Sequence, residues 1–101
     1  MAGVGKLLKQ AQRMQRGISE AQQRLSEERI EVSHGGGAVK VTVNGHGDAV
    51  SLVLLPEFLK EDPSIVQSTL LAALQEASAL ARQKHEETMA KATAGFQLPG
   101  F

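Results

Sequence analysis

The fold is decided by the stretch Ile30–Leu55, IEVSHGGGAVKVTVNGHGDAVSLVLL. Ile30 and Val32 alternate with Glu31 and Ser33, and Val39, Val41 and Val43 alternate with Lys40, Thr42 and Asn44. A period of two is that of a strand with one apolar and one polar face. Between these runs Ser33-His34-Gly35-Gly36-Gly37 is turn chemistry, and Asn44-Gly45-His46-Gly47-Asp48 carries the Asn-Gly signal of a hairpin. Ala49 to Leu55 is a third strand, mostly β-branched or leucine, and Pro56 ends it. Strands at about 29–34, 38–45 and 48–55, joined by short turns, predict an antiparallel meander. Val53 and Leu55 point opposite to Val50, Leu52 and Leu54, so its second face is not wholly polar.

On the N-terminal side, residues at about 4–28 read as a helix. Val4, Leu7, Ala11, Met14, Ile18, Ala21 and Leu25 are spaced alternately by three and four, the a/d seam of a coiled coil. Gly17 is the one misfit, at ~1 kcal/mol relative to Ala. On the C-terminal side, Asp62-Pro63 is a helix start, with Asp62 placed to cap free N–H groups and Pro63 at the first helical position. A helix at about 63–93 follows, with Val66, Leu70, Ala73, Leu74, Ala77, Leu80 and Ala81 on one broad face. Its alanines predict close approach to the sheet or to a second helix. The tail, 94–101, is non-helical and holds two of the three Phe residues. The expected class is α+β, ordered α-β-β-β-α, as one domain over 1–101. Open sheet edges, the seam and the apolar second face all predict a homodimer.

The chain of 101 residues is neutral overall, with 11 Lys+Arg against 11 Asp+Glu. Neutrality hides an asymmetry. Residues 1–24 hold Lys6, Lys9, Arg13, Arg16 and Arg24 against Glu20 alone, a local charge of +4, and the remainder is −4. The lack of cysteine excludes disulfides, thiolate metal sites and cysteine nucleophiles. No apolar run approaches the ~18 residues of a membrane span, and residues 1–10 lack a signal-peptide core, so a cytoplasmic location is expected.

Catalytic motifs are missing. His34-Gly35-Gly36-Gly37 resembles the oxyanion-hole glycines of some lipases, but no serine sits in the strained elbow which that chemistry needs. His34, His46 and His85 lack metal-ligand spacing and are expected to be solvated. No phosphate-binding Gly-Lys-Ser/Thr loop is present. Adjacent acids, Glu61-Asp62 and Glu86-Glu87, suit capping and solvation. No enzyme, metal, cofactor, membrane or small-molecule substrate is therefore expected.

The informative cluster is on the first helix. Lys6, Lys9, Arg13 and Arg16, spaced 3, 4 and 3, form one stripe opposite the apolar seam, and the stripe ends at Glu20 and Gln23. It is ~15 Å long, enough to meet several phosphates of a duplex. Gln10, Gln12 and Gln15 flank it as hydrogen-bond donors. Acids are not interleaved as on a merely solubilising face; Glu20, the one acid of residues 1–24, is spaced to pair with Arg24 at i,i+4. The strands contain no aromatic residue, which argues against a sheet that stacks single-stranded bases.

Three segments in order carry a resemblance. Leu7-Leu8-Lys9-Gln10-Ala11-Gln12-Arg13-Met14-Gln15 is similar to the first-helix segment of the YbaB/EbfC family of nucleoid-associated proteins. Val39-Lys40-Val41-Thr42-Val43-Asn44-Gly45 resembles its central strand and turn. Gly95-Phe96-Gln97-Leu98-Pro99-Gly100-Phe101 resembles its Leu-Pro-Pro-Gly-Phe tail, with one proline fewer. The resemblance implies an α-β-β-β-α fold, a tweezer-shaped homodimer, duplex DNA as partner and a nucleoid-organising or regulatory role without catalysis. Its DNA-contacting helices map onto Lys9 and Arg13, to which the stripe adds Lys6 and Arg16. Arg24 is a weaker DNA-binding candidate, as are Arg82, Lys84 and Lys91, which Glu76, Glu86 and Glu87 offset. The competing reading is a protein-interaction module that uses the heptad helix or the Phe-containing tail.

Overall fold

The computed structural model describes residues 2–94. Helix α1 (Ala2–Glu27) leads into strands β1 (Ile30–His34), β2 (Val39–Val43) and β3 (Ala49–Leu54), a short 3-10 turn (Pro56–Lys60) and helix α2 (Pro63–Thr93). The α+β order helix, three antiparallel strands, helix is as the alternation and the seam predict. The 3-10 turn is additional. Pro56 opens it, and it tucks Phe58 into the core.

The sheet has the order β1-β2-β3. Val32 pairs with Val41 and Ile30 with Val43, while Val39 pairs with Leu54 and Val41 with Leu52. Paired residues share a face, so these side chains line one side of the sheet. A register shift at Thr42/Val43 sets Ala49 opposite Val43 and leaves Val50 as the extra residue of a bulge. Helix α2 lies across β1 and β2. Ala73, Ala77 and Ala81, one per turn, are buried on Val32, Val39, Val41 and Val43, with Phe58 closing the end. Methyl side chains let the helix axis come close to the strands, which is what the alanine run predicts. Leu74 and Leu80, expected on the same face, flank the contact and remain exposed.

Two points about the helices are decided by the structure. The first is where the seam of α1 packs. Only α2 lies on the sheet; α1 packs antiparallel on α2, with Lys84 paired to Glu28 at 3.3 Å and Gly17 beside the Ala92 carbonyl. The seam is therefore used unevenly. Ala21 and Leu25 are buried, Met14 and Ile18 are half-buried, and every residue from Gly3 to Arg13 is exposed. The molecule extends 71 Å, more than the ~46 Å of its longer helix at 1.5 Å per residue, because the two helices are staggered. The second concerns Asp62. Its side chain makes no capping bond; its carbonyl accepts from Ile65 and Val66, and Pro63 starts the helix as expected. The tail expected at 94–101 is represented only by Ala94, and residues 95–101 lie outside the described residues.

Candidate nucleic-acid interface

Lys6, Lys9, Arg13 and Arg16 are all exposed, on the part of α1 that runs beyond the described end of α2. None has an ion-pair partner among the described residues. Their positions follow from the seam. Burial of Ala21 and Leu25 under α2 fixes the rotation of α1, and the helical repeat then turns the basic stripe away from α2. Exposed cations on a projecting helix suit contact with a polyanion backbone. The Glu20–Arg24 pair suggested by spacing does not form; Gln23 instead bonds Glu27 at 3.0 Å.

The structure separates the weaker candidates. Arg24 from α1 and Lys84 and Lys91 from α2 converge on one groove of about 290 Å³, with Leu25, Glu28 and Thr88. Lys84 is held by Glu28, whereas Arg24 and Lys91 have no ion-pair partner among the described residues. Thr88 adds a hydroxyl donor that sequence reasoning missed. The 84, 88, 91 spacing that places it there was legible on α2. None of the acids expected to offset these lysines is ion-paired with Lys84 or Lys91 among the described residues. Glu76 pairs with His34 at 2.5 Å, Glu87 accepts from Gln83 at 3.4 Å, and Glu86 lines a different cavity. Arg82 belongs to that second cavity, about 380 Å³, with Gly45, His46, Gly47, Ser78, Ala81 and His85.

The histidines make contacts that spacing does not show. His34 bridges β1 to Glu76 of α2. His46 donates from Nε2 to the Gln22 carbonyl at 3.0 Å and tilts against His85, with ring centroids 5.9 Å apart. Two of the three thus link elements while His46 stays exposed and His34 half-buried. Among the described residues no three His, Cys, Asp or Glu side chains are grouped to hold a metal ion, and no helix is long and apolar enough to cross a membrane.

A family model described as the YbaB/EbfC DNA-binding family matches residues 1–96. The chain belongs to the YbaB/EbfC DNA-binding family. A nucleoid-associated protein of Pelotomaculum thermopropionicum is 37% identical over 99 residues, covering 97% of this chain and 94% of the relative. One of Moorella thermoacetica is 38% identical over 102 residues, covering 100% of this chain and 98% of the relative. The fold is also that of an uncharacterized Helicobacter pylori protein known from a crystal structure. The TM-score is 0.72 at 24% identity, over 86% of this chain and 89% of that one. The family and the relatives are named for DNA binding and nucleoid association, not for catalysis. Family membership therefore supports the expectation drawn from helix one and the central strand.

Proposed function

We propose that this YbaB/EbfC member acts as a homodimer that binds duplex DNA with low sequence specificity, in the cytoplasm at the nucleoid, where it organises DNA or regulates genes. The observation that carries the reading is the projecting stripe Lys6, Lys9, Arg13 and Arg16, exposed and without an ion-pair partner among the described residues, in a family named for DNA binding. Arg24 and Lys91 extend the basic surface from the stripe's end into the α1–α2 groove. Contacts of this kind go to phosphates, which position a protein without reading sequence. Family membership favours this reading over a protein-docking module.

The second copy is inferred from β3. It is an edge strand, and Leu52 is 55% exposed although its neighbour Val41 in the register is 1% exposed. Helix α2 packs on β1 and β2, so Leu52 on the core face of β3 is left exposed, as is Val53 on the other face. An uncovered apolar edge strand of this sort favours pairing with another chain.

The test is mobility shift on random-sequence duplex. Two chains present eight stripe cations, and full engagement gives a log–log salt slope of about −7 at ~0.9 per phosphate. Replacing Lys6, Lys9, Arg13 and Arg16 by Gln should abolish the shift while the circular dichroism spectrum stays unchanged. Retained affinity in that folded variant would overturn the assignment.

A further inference from the structure

The outer part of α1 carries two unlike faces. Val4, Leu7 and Leu8 are 55%, 60% and 59% exposed, with Ala11 exposed beside them. A β-carbon at Gly3 or Gly5 would meet nothing within 4 Å among the described residues, so no described element packs on the helix there. Residues 1–19 also hold Lys6, Lys9, Arg13 and Arg16 and neither Asp nor Glu. The helical repeat gathers Val4, Leu7, Leu8 and Ala11 on one side and the four cations on the other. Contact with a duplex backbone uses the cations and leaves the apolar strip in water.

We propose that this arm lies on the surface of an anionic lipid bilayer, with Val4, Leu7 and Leu8 turned into it. Charge complementarity is the first support. A bilayer offers an apolar interior beneath a layer of negative headgroups, and a helix with aliphatic residues on one side and Lys and Arg on the other matches both. The long stems of Lys and Arg let their charged ends bend back to the headgroups while the strip is immersed. A second copy's arm would match the strip alone. It brings four more cations and no acid, and Gln10 and Gln15 beside the seam carry no charge to select a helical partner. Length is the second support. Gly3 to Arg13 is ~17 Å of helix at 1.5 Å per residue, well short of the ~30 Å hydrocarbon core, so the arm lies along the surface and needs no spanning run. Helix stability is the third. Gly3 and Gly5 weaken the helix where no tertiary contact supports it, and burial of the strip at the interface supplies that contact.

The test is sedimentation of the full-length protein, without DNA, with vesicles of phosphatidylcholine alone or of phosphatidylcholine and phosphatidylglycerol in equal parts. Binding is expected on the mixed vesicles and more than tenfold weaker on the neutral ones, since each cation near an anionic surface contributes about fivefold. No binding, or equal binding to both, overturns the proposal. Val4→Gln with Leu7→Gln and Leu8→Gln keeps the cations and should weaken binding to the mixed vesicles at least tenfold. Retained affinity in that variant, whether from charge alone or because a second copy covers the strip, also overturns it. The chain has no tryptophan or tyrosine, so a single introduced tryptophan reports its surroundings. Emission of Leu7→Trp should shift to the blue on mixed vesicles and that of Lys9→Trp, on the opposite side of α1, should not. Equal shifts contradict the orientation and overturn the proposal. No step involves DNA, so the outcome is separate from that of the DNA-binding reading.

Discussion

The backbone of Gly45 rests directly on Leu25. The Gly45 N–H donates to the Leu25 carbonyl at 2.8 Å, and a β-carbon at Gly45 would stand 2.6 Å from Leu25 Cδ2 and 2.9 Å from its carbonyl oxygen. This contact joins the β2–β3 turn to the last turn of α1. Gly45 is needed for close approach and not for its dihedral angles, since Gly47 is the residue of this turn with positive φ. Gly45→Ala should therefore cost about 1–3 kcal/mol by overpacking, with further loss if the hydrogen bond breaks. Urea unfolding at fixed protein concentration measures it; a variant as stable as the parent would show that the contact yields freely.

Asn44 organises the same turn. Its Oδ1 accepts from the N–H of His46 at 2.9 Å and from that of Asp48 at 3.0 Å. Asn44→Ala removes the acceptor for both and is expected to cost about 1–2 kcal/mol. The loss should appear as a lower urea midpoint with an unchanged slope.

Ala77 lies 1% exposed between α2 and the valines of the sheet. Ala77→Leu adds volume where helix and strands are closest, and about 1–3 kcal/mol of destabilisation is expected. Thermal unfolding should show a Tm drop of roughly 4–8 °C per kcal/mol for a domain of this size.

Leu52→Lys places a charge on the exposed edge strand that the homodimer reading requires a second copy to cover. The variant should be monomeric by light scattering. Its DNA salt slope should fall by about half, because one chain presents half the cations.

Arg24 and Lys91 face the α1–α2 groove. Replacing both by Gln should reduce the salt slope of a dimer by up to about 4, at ~0.9 for each lost phosphate contact. An unchanged slope would confine the interface to the projecting stripe.

The elements were legible because their signals are local. Valine alternation in β2 survives in the structure as the buried row Val39, Val41, Val43. Pro63 marks the start of α2, and its alanine repeat marks the side that meets the sheet. The basic stripe was legible for the same reason, since helical repeat alone puts Lys6, Lys9, Arg13 and Arg16 on one side. Partners distant in sequence were not. Nothing around His34 announces Glu76, and nothing around Glu87 announces that it accepts from Gln83. Asn-Gly at 44–45 reads as dihedral demand, because contact with Leu25 cannot be seen from the turn's own residues.

By itself, then, the sequence determined the order of elements and the stripe of cations, consequences of periodicities of two and of about three and a half, and its resemblance in three segments pointed to the family. Only the tertiary structure decided how far α2 covers the α1 seam and that Arg24 and Lys91 share a groove. It also decided that β3 keeps its apolar residues in solvent. Those outcomes depend on where one element ends relative to another. That stagger is set by packing of Ala73, Ala77 and Ala81 on the strands and of Leu25 on Gly45, contacts between residues far apart along the chain.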